Sequence, residues 1–336
     1  MQRKKIAAFI IIFIILFVFF LQSAVGCAEN NQPGSVSDSR FLLDTLCTIT
    51  IYAPDSRELL ERAFELIEHY EALFSISIEG SDIWRINHAG GQAVAVAPET
   101  AELLAIGLEY GRLSQGKFDI TIGRLSGLWD FTGASGIPNE TELSFALSTV
   151  DYRQVEIEGN KVALANPYAK IDLGGIAKGF ILDRVFEFLR QSGAAGAVID
   201  LGGDVAVLNS RPDESPWRLG VRAPFSDDFG LLGVIEVQNV AVVTSGVYER
   251  RFEEGGVIFH HILDPQTGMP AVSDVISATI VSSSATAADA LSSIIILGGS
   301  EIAQRLINEL PEVTGALLVL ESREKIELGD INISLR

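Results

Sequence analysis

Ile171–Gly179 reads I-D-L-G-G-I-A-K-G, and its first five residues return at Ile199–Gly203. Each copy reads as a strand that ends in an aspartate and turns on a glycine pair, where backbone can approach a ligand closely. Behind the first copy, the apolar spacing of Ala177–Gln191 predicts a helix, closed by Gly193. A strand, a glycine turn and a helix start leave N–H groups free at the turn, which favours an anion. A purely structural strand-to-helix turn would use the same residues. The string is neither G-x-G-x-x-G nor a Walker A loop. Lys178 falls in the first helical turn, against the helix dipole, which favours a role in neutralising phosphate over a structural one.

Working outward, Phe41–Tyr52 alternates as one half-buried strand, and Ser56–Leu73 follows with apolar residues at helical spacing. Pro98–Gly111 is a second helix, with Pro98 suited to its first position and Glu99 and Glu102 to its first turn. Thr286–Leu297, closed by Gly298 and Gly299, and Ser300–Asn308 are two more. Strand-like runs lie between: Val155–Ile157, Val162–Leu164, Ala197–Leu201, Val205–Leu208, Leu219–Arg222, Gly233–Val237, Ala241–Thr244, Val257–Ile262, Ser277–Val281 and Ala316–Leu320. Strands outnumber helices and many are spaced for hairpins, which is an α+β pattern rather than a βαβ alternation. No Pro/Gly/Ser-rich linker divides the body, which argues against two cleanly separated domains.

The 336 residues, 48% apolar, can build a sizeable core. With 44 acids against 25 bases the formal charge is −19, which excludes a general nucleic-acid binder. A phosphate ligand must therefore be held locally. Two cysteines, Cys27 and Cys47, make no disulfide framework and no cysteine zinc site, and Cys47 reads as core.

The chain opens M-Q-R-K-K and then runs apolar from Ile6 to Leu21, a basic region followed by a hydrophobic one. Q-S-A-V-G-C, ending at Cys27, resembles a bacterial lipobox, whose cysteine is acylated; Ala24 stands where leucine is usual. An uncleaved anchor is the alternative, although an apolar run of this length spans only ~24 Å of a ~30 Å bilayer core. Either reading tethers the body to the cell membrane on its extracytoplasmic side. The expected organisation is a signal segment over 1–26, a lipid-anchored flexible tether over 27–39 and one domain over 40–336. Loss of Arg3, Lys4 and Lys5 with the signal would take the charge to −22.

Three further stretches carry candidate chemistry. In T-A-A-D-A-L-S-S, Thr286–Ser293, Asp289 and Ser293 are i and i+4 on a helix otherwise made for burial. A carboxylate buried there needs a partner or a metal, and oxygen ligands of this kind suit Mg²⁺ or Ca²⁺. In F-H-H-I-L-D-P-Q-T-G-M-P, Phe259–Pro270, a strand with two histidines enters a turn; His260 and His261 point to opposite faces, so at most one serves a given site. In G-K-F-D-I-T-I-G-R-L-S-G-L-W-D-F, Gly116–Phe131, Asp119 precedes an alternating strand, and Trp129 and Phe131 read as core.

In order and spacing these strings, with L-D-T (Leu43–Thr45), F-S…D-I-W-R-I-N (Phe74–Asn87), I-D-L-G-G-D and T-S-G-V-Y-E-R, resemble the ApbE family, the FAD:protein FMN transferases, from about Phe41 to Leu297. The resemblance implies an α+β fold of two intimately packed subdomains of mixed or antiparallel sheet with helices, and a flavin in the cleft between them. It implies transfer of FMN from FAD through a phosphoester to a Thr or Ser of a target flavoprotein, release of AMP, and a divalent cation, usually Mg²⁺. Expected acceptors are membrane-bound redox-pump subunits and FMN-binding domains.

By matching positions, the metal ligands would be the Gly175 carbonyl, Asp289 and Ser293, with Ser293 where the family carries Thr, Ser or sometimes Ala. FAD contacts would map to Leu43, Ser77, Lys117, Phe118, Asp119, Asp172, Lys178 and Leu263. Leu43 stands where many members have Met, and Ser77 where some have Tyr. The acceptor hydroxyl needs a base, and His261 is the candidate, with Asp264 second. Lys178 and the turn N–H groups would add charge stabilisation. Rival readings are a metal-dependent FAD pyrophosphatase, a non-enzymatic flavin-binding lipoprotein and an extracytoplasmic solute receptor. The last is expected to show two βαβ lobes.

Overall fold

A computed structural model of the chain describes residues 34–131, 136–225 and 230–335. The signal segment, Cys27 and the start of the tether lie outside them. The chain begins with a hairpin, β1 (Ser35–Leu42) and β2 (Thr45–Tyr52), and the helices α1 (Ser56–Phe74) and α2 (Asp82–His88). Next come β3 (Val94–Ala95), α3 (Pro98–Leu113), α4 (Gly123–Ser126), α5 (Glu140–Leu147), β4 (Val155–Glu158), β5 (Lys161–Leu164) and α6 (Ala177–Gln191). Seven strands come after α6: β6 (Gly196–Leu201), β7 (Asp204–Leu208), β8 (Trp217–Arg222), β9 (Leu231–Val237), β10 (Val240–Gly246), β11 (Arg251–Glu254) and β12 (Val257–His260). The chain ends with β13 (Val275–Ser282), α7 (Ala285–Glu309), β14 (Val313–Leu320), β15 (Lys325–Gly329) and β16 (Ile333–Leu335).

The frame is an eight-stranded sheet in the order β1-β2-β6-β7-β10-β13-β14-β15, with every neighbouring pair antiparallel. Helices α1, α6 and α7 cover one face, because their apolar stripes and the inward residues of the strands fill one core, among them Ile49, Phe64, Phe180, Ile199, Ile280 and Leu291. Phe180 meets Tyr70 and Phe74 edge-on, 5.8 and 5.7 Å between centroids. On the opposite face, Val207, Val242, Val281 and Leu317 pack on Trp217, Val221, Ile235 and Val237 of the small sheet β16-β9-β8. Both faces of β13 are thereby covered, and all eight of its residues are buried. Ser35–Arg336 is one compact unit.

Several expectations change. The run Phe41–Tyr52 is the end of one strand and the whole of another. Leu43 and Asp44 break it with left-handed φ values of 55° and 56°, a two-residue hairpin turn. Strand β1 occupies Ser35–Ser39 of the expected tether, because its serines bond across to threonines of β2: Ser37 to Thr50 and Ser39 to Thr48, each at 2.8 Å. Asp119–Ile122 is a turn, not a strand: the Asp119 carboxylate accepts the Thr121 N–H at 2.8 Å, the Thr121 hydroxyl at 2.6 Å and the Tyr152 N–H at 2.9 Å.

The α7 segment runs on to Glu309, but Gly299 (φ 80°, ψ −174°) interrupts it where the two expected helices divide. By length and apolar composition α7 could cross a membrane, yet it is a core helix packed on β10, β13 and β14. Cys47 is buried core, and burial lifts its thiol pKa to about 11. Trp129 and Phe131 stack in an aromatic core with Phe252 and Phe259, and the Trp129 indole donates to the Gly268 carbonyl at 3.1 Å.

Candidate active site

The site starts where α6 meets α7. A side chain at Gly179 would overlap the Ala285 carbonyl oxygen and stand 2.7 Å from Asp289 Cβ, so only glycine lets these backbones approach. The approach brings Asp289 Oδ2 within 2.9 Å of the Gly179 N–H, which donates to it. One turn along α6, Asp183 makes the reciprocal contact: its carboxylate accepts the Ala285 and Thr286 N–H groups at 2.6 and 2.9 Å and the Thr286 hydroxyl at 2.7 Å. Each helix start is capped by an acid from the other helix.

This geometry differs from the turn that the sequence suggested. Ile171–Leu173 is not a strand, and the N–H groups expected to be free are mostly used: Gly174 donates to Asp172 Oδ1 at 2.9 Å, and Ile176 and Ala177 donate to the Leu173 carbonyl. The second I-D-L-G-G is a β6–β7 hairpin, so the two copies are not matching strand ends.

The two copies nevertheless meet. Lys178 Nζ donates to Asp204 Oδ2, an ion pair between the start of α6 and the first residue of β7. Asp204 and Asp289 are buried. Desolvation raises the pKa of both, against the opposing charge of Lys178. Desolvation works against Lys178 as well, but Asp204 and Asp289 outweigh it and hold the ammonium above its ordinary pKa. Glu249 also feels Lys178, and desolvation lifts it above the usual carboxylate range. Arg222 and Arg250 act on Glu249 too, whereas the buried Asp204 and Asp289 share the one ammonium of Lys178, a place that suits a cation.

The donors suit a hard one. Asp289 binds Gly179 through Oδ2 alone, and Ser293 sits half-buried one turn on. A Cβ at Gly175 would lie 3.7 Å from Ser293 Oγ and 3.1 Å from Phe118 Cε2, so glycine keeps that space open. Ser292 faces elsewhere: its hydroxyl bonds Ser245 at 2.8 Å. Among the described residues no three His, Cys, Asp or Glu side chains form a metal cluster. A cation here would rest on one carboxylate, a hydroxyl and a carbonyl.

His261 comes directly after β12, and its Nδ1 is buried without a partner. Burial and then the Arg250 charge push its pKa down to about 4, so the imidazole is neutral at pH 7. His260 is buried, and its Nε2 lies 3.1 Å from the Ala271 carbonyl, a structural contact. Asp264 accepts Lys117 Nζ at 3.2 Å and the Gln266 N–H at 2.8 Å.

The remaining residues spread outward. Leu43 gives its N–H to Glu71 at 2.7 Å in the β1–β2 turn, and Ser77 is exposed in the loop after α1. Phe118 is buried against Gly175, and Asp172 accepts the Ser126 hydroxyl at 2.6 Å. Leu263 is buried in the Trp129 cluster. The Asp119 carboxylate is spent on its own turn. A cavity of about 420 Å³ is lined by Arg112, Gln115, Gly116, Asp119, Tyr152 and Gln266 among others, and neither Lys117 nor Asp264 is among its lining residues. Asp204, Asp183 and Glu249 are not among the residues that the sequence singles out. The available signal for Asp204 is an acid opening an otherwise apolar strand.

The chain matches the sequence profile of the ApbE family over residues 43–318. It is 30% identical to the FAD:protein FMN transferase of Treponema pallidum, across 94% of this chain and 93% of that protein. It is 32% identical to one from Klebsiella pneumoniae, across 86% and 90%. Among solved structures, the ApbE protein of Thermotoga maritima superposes with a TM-score of 0.80 at 33% identity, covering 88% of this chain and 97% of that one. The flavin transferase ApbE of Vibrio cholerae superposes at 0.79 with 26% identity and the same coverage.

Proposed function

The chain belongs to the ApbE family, and on that premise we propose that it is an FAD:protein FMN transferase. It takes FMN from FAD, joins it through a phosphoester to a Thr or Ser hydroxyl of an acceptor flavoprotein, and releases AMP. The observation that best supports the reading is the pairing of Lys178 with Asp204 beside the buried Asp289, within the electrostatic reach of His261.

The chemistry needs little covalent help from the protein; it needs alignment and charge neutralisation. Lys178, kept protonated by its acids, faces the pyrophosphate of FAD. His261 is neutral and accepts the proton as the acceptor oxygen attacks the FMN phosphorus, with Asp264 the second candidate. The P–O bond to the AMP half breaks, and AMP leaves with the electron pair. The Gly175 carbonyl, Asp289 and Ser293 would hold Mg²⁺, which supplies Lewis-acid neutralisation of the pyrophosphate oxygens. Leu43, Ser77, Lys117–Asp119, Asp172 and Leu263 would position the FAD. On the same reading Cys27 is acylated and holds the body on the extracytoplasmic side of the cell membrane, where the acceptors are redox-pump subunits or FMN-binding domains.

The test incubates the full chain in detergent with FAD, Mg²⁺ and an acceptor domain carrying the target Thr. AMP release with flavin fluorescence that survives denaturation of the acceptor, both lost with EDTA or Asp289→Ala, is the expected result. AMP with free FMN and no labelled acceptor would make the protein an FAD pyrophosphatase. Tight FAD binding with neither product would make it a flavin carrier.

A further inference from the structure

Asn87 ends the string D-I-W-R-I-N, and its side chain reaches a residue 84 positions along the chain. Its Nδ2 donates to the Ile171 carbonyl at 2.8 Å, and its Oδ1 accepts the Ile171 N–H at 2.6 Å. These partners also fix which end of the amide is nitrogen. The residues on either side of Ile171 bond to a different segment. The Asp172 N–H donates to the Ile120 carbonyl at 2.8 Å, and the Lys170 carbonyl accepts the Gly123 N–H at 2.9 Å. Ile171 thus runs between a backbone neighbour and a side-chain amide that stands in for a second one. Ile171 is fully buried, so without the amide its N–H and carbonyl would lose their partner.

The arm that carries Asn87 is held firmly. Helix α2 is too short to stand by itself, and side chains fix it to the body. The buried Asp82 carboxylate pairs with Arg85 and accepts the Ala97 N–H and the Thr100 hydroxyl, each at 2.7 Å. Ile83 and Ile86 enter the core. What the arm holds is the entry to the glycine turn. Asp172, the next residue, accepts the Ser126 hydroxyl at 2.6 Å through one carboxylate oxygen and the Gly174 N–H at 2.9 Å through the other. A shift of Ile171 therefore passes directly to the Asp172 carboxylate and to the turn that ends at Gly175.

We propose that Asn87 is a positioning residue for FAD, which sets the place of Asp172 and of the turn behind it by clamping the Ile171 backbone. The proposal rests on the transferase reading. Its warrant is the match of one donor and one acceptor to one residue's carbonyl and N–H. Among side chains of this length only an amide offers both at that spacing, since aspartate accepts at both oxygens and would face the Ile171 carbonyl with like charge. Asn87 acts through Ile171 and takes no part in the bond changes.

The experiment uses the full chain in detergent. It reads the FAD dissociation constant from flavin fluorescence on rapid mixing without acceptor, and then KM for FAD and KM for the acceptor domain. Asn87→Ala should raise the dissociation constant and KM for FAD by about tenfold and leave acceptor KM within about twofold. Formamide, which donates and accepts, should restore part of the FAD affinity of Asn87→Ala, and formate, which only accepts, should restore none. Ile83→Val, a trim of the same helix in the core, should lower the urea midpoint and leave FAD affinity unchanged. Asn87→Ser, which keeps a single hydroxyl, carries the same comparison if Asn87→Ala does not fold. FAD affinity within about twofold of wild type in the Asn87 variant, or an equal loss in Ile83→Val, would leave Asn87 a purely structural residue and overturn the proposal. A wild-type chain that binds FAD and transfers nothing would overturn the transferase reading instead, and the comparison of FAD affinities would still decide the role of Asn87.

Discussion

Ile171–Gly175 and Ile199–Gly203 carry the same five residues, and they share one local device while building different backbones. In each, the aspartate captures an N–H shortly ahead of it: Asp172 takes that of Gly174 at 2.9 Å, and Asp200 that of Gly203 at 2.7 Å. Beyond that they part. The first copy is loop that winds into α6, and neither of its glycines needs a left-handed φ. The second is the tip of the β6–β7 hairpin, with Gly202 at φ 71° and Gly203 at 100°. The residues C-terminal to each copy decide the outcome: I-A-K-G enters a helix, whereas D-V-A-V alternates as a strand. The first charged residue after one copy, Lys178, pairs with the first after the other, Asp204. Five residues fix how an N–H is satisfied, and their successors fix the direction in which the chain leaves.

The strongest way to break this picture is at the helix that only the first copy starts. Gly179→Val should cost about 3 kcal/mol or more, or prevent folding, because the added carbons fall on the Ala285 carbonyl and Asp289 Cβ. Urea unfolding is the measure, and an unchanged midpoint would show that α6 and α7 do not need this approach.

Next comes the pair that joins the copies. Asp204→Asn leaves Lys178 facing one acid fewer. Lys178 is about one-third exposed and keeps some hydration, so the stability loss should be about 1–3 kcal/mol. AMP release should fall by about tenfold or more as the ammonium loses its fixed place. A variant with full turnover would remove Asp204 from the site.

A smaller effect tests the surroundings of the pair through pH. The folded His261 pKa, about 4, lies below its unfolded value of roughly 6.5. Between those values the unfolded chain binds more protons, so His261 costs stability as pH falls through that window. Asp204 and Asp289, with raised pKa values, work in the opposite direction. The comparison must therefore be against His261→Gln. From pH 6.5 to 5 the wild type should lose about 1–2 kcal/mol more than that variant. Equal losses would place the imidazole in water.

The smallest effect compares the glycines directly. Gly202→Ala should cost about 1–2 kcal/mol, for its left-handed φ and its overlap with Thr45. Gly174→Ala should change stability by no more than about 0.5 kcal/mol, since its Cβ would meet only Asp172 Oδ1, at 3.1 Å. Equal costs would mean that the two turns are alike after all.

Much of the fold is legible where apolar period is strong. The α6 run and β4 to β7 lie where alternation and helical spacing put them, and the acid in T-A-A-D-A-L-S-S is buried as its small neighbours suggest. Legibility fails where polar groups carry the structure. Strand β1 is held by serine–threonine pairs that composition presents as a tether. Helix α2 escapes detection although Ser81 caps it, accepting the Trp84 N–H at 3.0 Å, because seven residues are too few to show a period. The turn at Asp119 has the alternation of a strand, yet one carboxylate there replaces the ladder.

The sequence alone determined which residues have to find partners: Asp289 among alanines and Lys178 against a helix dipole. It could do so because period and composition act over a few residues, within the reach of one helix turn or one strand. Tertiary structure alone decided who those partners are. Gly179 lets two helices approach until each caps the other, Lys178 meets an acid 26 residues on, and Asp289 binds a backbone N–H 110 residues back. Burial makes those meetings matter, since a charge that water would screen along the chain must be matched in the core by whichever group the fold brings to it.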